Sequence, residues 1–175
     1  MGQANGRKSI FITGAASGMG LATARLFAEK GWFVGGYDVN QAGLSALAAE
    51  LGEGACIVRT LDVTDREDYR AALADFAQAT GGKLDLLFNN AGIGRGGPFA
   101  DQPFEDVIAV VQVNLMGVLI GIHAAIELLK ATPNSLCFTT SSSSATFGMA
   151  NIAVYSATKH AVKGLSEALS VEFQA

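Results

Sequence analysis

Hydrophobic residues fall into two alternating rhythms along this chain: short continuous runs rich in β-favouring residues, and longer stretches where apolar positions return every three or four residues. The first run, Lys8 to Thr13, opens into Gly14-Ala15-Ala16-Ser17-Gly18-Met19-Gly20. Leu21, Ala24, Leu26, Phe27 and Ala28 then keep helical spacing as far as Gly31. A second strand is predicted over Trp32 to Tyr37, ending in Asp38. It is followed by a helix through Leu44, Leu47 and Leu51 that Gly52 closes. Ala55 to Leu61 predicts a third strand. Thr64 with Glu67 forms a capping-box signature for a helix through Tyr69, Leu73 and Phe76 to about Thr80, where Gly81 and Gly82 end it. Leu84 to Phe88 predicts a fourth strand that leads into Asn89-Asn90-Ala91-Gly92 and a glycine-rich loop. Pro103 suits the first turn of the helix that follows, which reaches about Lys130. Pro133-Asn134 turns the chain into a fifth strand, Leu136 to Thr140, and a last helix runs from about Ala153.

Strand alternating with helix over residues 1–175 predicts one α/β domain. Its expected form is a Rossmann-like, doubly wound parallel sheet with helices on both faces and ligands at the carboxyl ends of the strands. The junction at Gly14 to Gly20 is what a phosphate site needs. Gly14 permits a tight turn, Gly18 lets backbone N–H groups approach a pyrophosphate, and Gly20 allows close packing of a helix whose positive end faces the anion.

Composition narrows the classes. Half of the 175 residues are hydrophobic, enough for a core, and a formal charge of -4 with scattered basic residues leaves no electrostatic footprint for nucleic acid. Cys56 and Cys137 lie in apolar, strand-like runs and read as buried free thiols of a reducing compartment. Two Cys and two His make no metal-ligand cluster, so no metal is expected. Met-Gly-Gln-Ala-Asn-Gly-Arg-Lys carries no apolar signal segment, and Gly6 stands where a myristoylation motif wants Ser or Thr, so the chain reads as cytoplasmic. The most apolar stretch, Val107 to Leu129, is interrupted by Gln112, Asn114, His123 and Glu127. It is expected to be a buried helix and not a membrane span.

Two constellations carry chemistry. Asp38 closes the second strand, where a carboxylate can bind the ribose hydroxyls of an adenine dinucleotide, although Asp38-Val39-Asn40 would also serve as a helix cap. No Arg or Lys lies within residues 14–20 or 38–40 to attract a 2′-phosphate, which favours NAD over NADP. Tyr155 and Lys159 are four apart on a predicted helix and share a face, with Ser142 thirteen residues before the tyrosine. A free phenol titrates near pH 10, and a neighbouring ammonium favours its ionised form, which makes such a tyrosine usable as a general acid and base. An amphipathic surface pair and a polar serine linker are the plain alternatives.

In order and spacing these motifs resemble the short-chain dehydrogenase/reductase family from Ser9 onward. The resemblance implies a catalytic set of Asn114, Ser142, Tyr155 and Lys159. It also implies cofactor contacts from Gly14, Ser17, Gly18, Met19, Gly20, Asp38, Asp62, Val63, Asn90, Ala91 and Gly92, with Tyr155 and Lys159 adding theirs. Hydride would pass between a nicotinamide and a substrate carbon while Tyr155 exchanges the oxygen-bound proton. Ser142 would hold that oxygen, Lys159 would ease ionisation of the tyrosine and bind the ribose, and Asn114 would hold a water. Ala145 departs from a glycine common in the family, so among Ser141 to Ser144 the assignment rests on spacing to Tyr155. His123 and His160 have no matching role. Ile93, Phe99, Phe147 and Met149 suggest an apolar alcohol or ketone as substrate, and Arg95 a possible carboxylate contact. A domain that binds or senses NAD without turnover, or a structural partner subunit, stands as the alternative.

Apolar residues on nearly all sides of the Val107 to Leu129 helix, and Val162, Leu165, Leu169 and Phe173 on the last, predict a symmetric homo-oligomer, a dimer or a tetramer. The helical stripe continues to Gln174-Ala175 without a stop signal. From this the expectation is a chain cut short of further C-terminal strands.

Overall fold

The structure is a computed structural model describing residues 3–4 and 6–173. Its element order is β1 (Ser9–Thr13), α1 (Gly18–Glu29), β2 (Phe33–Asp38), α2 (Gln41–Leu51), β3 (Cys56–Thr60), α3 (Arg66–Thr80) and β4 (Leu86–Asn89), then α4 (Phe104–Val111), α5 (Gly117–Ala131), β5 (Leu136–Thr139) and α6 (Ala153–Glu172). Every residue of β1 is buried. The strand sits mid-sheet, paired in parallel with β2 on one side and β4 on the other. The strand order is β3-β2-β1-β4-β5, and all four pairings are parallel. Strands covered on both faces read as continuous apolar runs, which is why Ser-Ile-Phe-Ile-Thr shows no alternation.

Alternate side chains of the strands feed two cores. Phe11 stacks on Tyr37 with ring centroids 3.9 Å apart and meets Phe76 edge-on at 5.4 Å. Together with Tyr69, Leu73, Leu87, Ala125 and Leu129 they pack beneath α3 and α5. Ile10, Ile12, Val34 and Phe88 point the other way, onto Ala24, Leu44 and Leu47 of α1 and α2. Truncating a buried ring such as Phe76 to Ala would cost about 3–5 kcal/mol. Against the outer side of α5, α6 packs through Val118, Ile122 and Val162. β5 is the sheet edge, with Leu136 and Phe138 57% and 53% exposed.

Three expectations need correction or completion. Thr64 does not cap α3. Asp65 does, its carboxylate accepting from Glu67 N–H at 2.9 Å and Asp68 N–H at 3.0 Å, while the Thr64 hydroxyl donates to Asp62 at 2.8 Å. A carboxylate facing the positive helix end outcompetes a hydroxyl already drawn to a neighbouring acid. The long helix is continuous in space but passes through a π-helical turn, Gln112–Met116, between α4 and α5. By length and composition alone, Phe104–Ala131 is apolar enough to cross a membrane, with a mean hydropathy of 2.0 over its best window, so its four polar interruptions do not lower it as far as expected. Here it lies against the sheet and α6, with Val110, Asn114, Val118, Ala125 and Leu129 buried, while Phe104, Ile108 and Met116 are exposed. Finally, α6 keeps Val162 buried and leaves Phe173 exposed. Gln174-Ala175, where the stripe was expected to run on, lie outside the described residues.

Candidate functional site

At the carboxyl ends of β1, β2 and β4 the chain builds a cleft on the glycine turn. Gly14 and Gly18 hold positive φ of 70° and 53°, conformations that an L side chain resists. A Cβ on Gly20 would collide with the Gly14 carbonyl oxygen and come within 2.8 Å of Asn90 Nδ2, so only glycine lets α1 begin this close to the turn. Ser17 precedes α1 without a side-chain capping bond, and the first turn of α1 carries no acidic residue. Its backbone N–H groups are therefore set to receive an anion.

Hydrogen bonds lock the floor of this cleft. Thr13 Oγ1 accepts from the backbone N–H groups of Asn90 at 3.0 Å and Ala91 at 3.1 Å, and Asn90 Nδ2 donates to the Thr13 carbonyl at 3.0 Å. Asp38 ties the turn to β2: one carboxylate oxygen accepts from Ala16 N–H at 3.0 Å and the other from Asn40 N–H at 2.9 Å. Asn40 itself caps α2 by accepting from Gly43 N–H at 3.1 Å, so within Asp38-Val39-Asn40 the capping role falls to Asn40. The resulting cleft, about 370 Å³, is lined by Gly14, Ser17, Gly18, Met19, Asp38, Asp62, Val63, Asn90, Ala91 and Gly92. Gly20 lies behind the turn and does not reach it. Val39, Leu61, Ile93 and Val113 also line the cleft. Sequence reasoning named Ile93 only as a residue for an apolar substrate and missed Val39, Leu61 and Val113, because apolar residues beside strand ends look the same whether they face a core or a ligand.

A second cleft, about 380 Å³, adjoins the first and shares Met19, Asn90, Gly92 and Ile93 with it. Tyr155, Lys159, Ile152, Gly94 and Thr140 complete its lining. Tyr155 and Lys159 rise from one face of α6, with Lys159 Nζ 5.6 Å from the centre of the tyrosine ring. Lys159 is only 4% exposed, and Nζ donates to the Thr140 carbonyl at 2.8 Å. Burial pulls its pKa below the usual lysine value. Thr140 also donates through its hydroxyl to Asn90 Oδ1 at 3.3 Å, which links the lysine to the glycine turn. A backbone acceptor of this kind leaves no side-chain signal in a sequence.

Asn114 and Ser142 stand differently. Asn114, wholly buried in the π-helical turn, clamps Ile93: Oδ1 accepts from Ile93 N–H at 2.8 Å and Nδ2 donates to Ile93 O at 2.9 Å. It touches the clefts through Ile93, while its amide oxygen keeps one free lone pair. Ser142 caps a short turn, Ser143–Ala145, by accepting from Ser144 N–H at 3.2 Å, and it does not line the second cleft. Ser141 donates to the Lys159 carbonyl at 3.2 Å, and the buried Ser144 hydroxyl has no hydrogen-bond partner among the described residues. His123 and His160 are exposed, and Arg95 is paired with Asp106 at 3.3 Å.

Comparison with known proteins gives a consistent picture. A family model described as short chain dehydrogenase matches residues 8–175. Momilactone A synthase of Oryza sativa subsp. japonica is 42% identical over 164 residues, covering 91% of this chain and 59% of the relative. The 2,5-dichloro-2,5-cyclohexadiene-1,4-diol dehydrogenase LinX of Sphingobium indicum is 39% identical over 169 residues, covering 95% and 67%. Among solved structures, a short chain dehydrogenase/reductase from Burkholderia phymatum in complex with NAD superposes with a TM-score of 0.88 at 32% identity, covering 93% of this chain and 59% of that one. The chain thus spans about three fifths to two thirds of the length of the relatives it matches.

Proposed function

The chain belongs to the short-chain dehydrogenase family, and from that premise we propose that it is an NAD-dependent oxidoreductase interconverting an alcohol with its ketone or aldehyde. The observation that carries this reading is the continuity of the two clefts. A helix-N-terminal anion cradle and the Asp38 carboxylate occupy one end, the Tyr155–Lys159 pair the other, and four lining residues are common to both. The residues present fit a nicotinamide dinucleotide. The Gly14–Gly20 turn admits backbone against a pyrophosphate, since a Cβ at Gly18 would meet nothing within 4 Å. Asp38 would take the adenosine ribose hydroxyls. With no Lys or Arg at 14–20 or 38–40, a 2′-phosphate finds no cation there, which supports NAD over NADP.

When bound, the dinucleotide supplies the hydride acceptor or donor. The chain's own part is alignment and proton transfer. Tyr155 would give or take the proton on the substrate oxygen. Lys159, fixed by the Thr140 carbonyl, would hold the nicotinamide ribose and present positive charge to the tyrosine ring. Asn114 would shape the wall by holding Ile93, and Ser142 would have to turn from its Ser144 bond to meet the substrate oxygen. Ile93 and Ile152, with Phe99, Phe147 and Met149 exposed in the neighbouring loops, favour an apolar substrate. A cyclic secondary alcohol suits such a surface, in keeping with the cyclic diol named for the Sphingobium relative. Exposed Phe104, Ile108 and Met116 on the α4–α5 run support association into a homo-oligomer through that run and α6. Light scattering at micromolar concentration tests that part, and a monomer would refute it.

The deciding experiment is Tyr155→Phe, assayed with a panel of secondary alcohols beginning with cyclohexanol and followed by NADH absorbance. Loss of one proton-transfer group should lower kcat by about 10²–10⁴-fold with NADH affinity nearly unchanged. Activity within about tenfold of the parent would sink the mechanism.

A further inference from the structure

We propose that Gly96 and Gly97 form a brace that positions Tyr155, acting through the backbone of Asn151; the inference rests on the reading of Tyr155 as the proton-transfer group. Tyr155 lies in the first turn of α6, and that helix begins without an ordinary cap, since Ile152 makes no side-chain capping bond. Something else must fix where the helix starts. The preceding residue, Asn151, is held in the left-handed region at φ 64°, and its carbonyl accepts from Gly97 N–H at 2.8 Å. Gly97 has φ 132°, where an L side chain is strained. Gly96 is pressed against the same carbonyl: a Cβ there would stand 3.2 Å from Asn151 O and 3.7 Å from Ile152 Cγ2. Two adjacent residues of the loop after β4 thus seat the entrance of α6, one by donating to it and the other by having no side chain.

The far end of this loop is fastened as firmly. Ile93 is clamped through both backbone groups by Asn114. Between the two ends, Arg95 pairs with Asp106 of α4 at 3.3 Å, and its carbonyl accepts from Gln102 Nε2 at 3.1 Å. The five residues from Ile93 to Gly97 therefore join Asn114 on one helix to the turn that launches Tyr155 on another. A shift of a few tenths of an ångström at Asn151 O would pass directly into the first turn of α6. Proton transfer is sensitive to misplacement on that scale, and about 1 Å can cost 10²-fold. Gly96 and Gly97 are positioning residues in this account and touch no reacting atom.

The test is Gly96→Ala, a substitution whose backbone needs no positive φ and which therefore should fold. The protein carries three tyrosines, Tyr37, Tyr69 and Tyr155. In 3-fluorotyrosine-labelled protein, the 19F line lost in Tyr155→Phe identifies Tyr155. In Gly96→Ala that line should move while the Tyr37 and Tyr69 lines stay in place. NADH affinity by fluorescence should remain within twofold, and kcat on the alcohol used for Tyr155→Phe should fall about tenfold. An unmoved Tyr155 line overturns the brace, and so does a shift of all three lines, which would mean a general rearrangement. If Tyr155→Phe keeps its turnover, the catalytic reading falls instead, and the 19F comparison still decides the brace.

Discussion

Replacing Asn114 by alanine separates a structural wedge from a mere spectator of the chemistry. The side chain is wholly buried and spends both its polar atoms on Ile93, at 2.8 and 2.9 Å. Asn114→Ala leaves a backbone N–H and a backbone C=O without partners, each worth about 1–3 kcal/mol when it is buried and unsatisfied. Ile93 borders both clefts, so water can reach part of the vacated space and recover some of that cost. The expected loss is therefore about 2–4 kcal/mol, a large fraction of the roughly 5–15 kcal/mol of a typical domain. Urea unfolding measures it as a lower midpoint at constant slope.

Two further variants sharpen the comparison. Asn114→Asp keeps an acceptor for the Ile93 N–H but sets a carboxylate against the Ile93 carbonyl, so it should be no better than alanine. Asn114→Leu restores volume without hydrogen bonds and should not recover stability. A loss below about 1 kcal/mol in Asn114→Ala would mean that the Ile93 clamp is not what holds the loop. The reasoning about the wall would then be refuted.

Lys159→Ala should weaken NADH binding and lower kcat together, because on the proposed reading one ammonium would serve the ribose as well as face the tyrosine ring; unchanged NADH affinity would argue against the ribose contact. Asp38→Asn should weaken NADH about tenfold while leaving NADPH nearly as before, a loss of about 1.4 kcal/mol for one charge-assisted bond. Equal losses for the two cofactors would remove Asp38 from the ribose site. Burial pushes the Cys137 thiol up to about 11 from an ordinary 9.0. Its contribution to stability is thus intact below pH 9 and drains away as pH rises through 11, by about 1.4 kcal/mol per unit and at most about 3 kcal/mol in all. Cys137→Ala should flatten the fall in urea midpoint over that window, and parallel curves for parent and variant would contradict the assignment.

What was legible in the sequence follows from where the physics is local. The central strands, buried on both faces, announce themselves as unbroken apolar runs, and all five strands could be placed along the chain; their order in the sheet, set by contacts between distant segments, could not. Ends set by glycine, such as Gly81 after α3, were equally plain, because a left-handed terminus has few alternatives. The cap of α3 was placed one residue early, on Thr64 and not on Asp65, because the outcome turned on Asp62 having already engaged the threonine hydroxyl. Residues lining the first cleft could be named because a phosphate and ribose site uses backbone and carboxylate at fixed offsets. The surroundings of the second cleft were harder, since the contacts that fix them are made by main-chain groups: the Thr140 carbonyl under Lys159, Ile93 beside Asn114, and Asn151 O against Gly97.

The π-helical turn shows how those contacts become a constraint on sequence. A regular helix through Gln112–Met116 would spread its side chains evenly around the axis. The extra residue in the turn instead lets Asn114 face the loop after β4 while Val110 and Val118 stay buried on either side. The chain gives up regular i to i−4 bonds there and gains two side-chain bonds to Ile93, a local exchange that makes sense only if the loop's position matters. The same logic applies at Asn151, where a non-glycine residue is held at positive φ to offer its carbonyl to Gly97. Two departures from ideal backbone geometry, one within the α4–α5 run and one in the turn before α6, converge on one five-residue loop that borders the second cleft. That convergence fixes one wall of the second cleft, and it is the physical ground for the proposal that the reaction, and not only the cofactor, belongs at this end of the sheet.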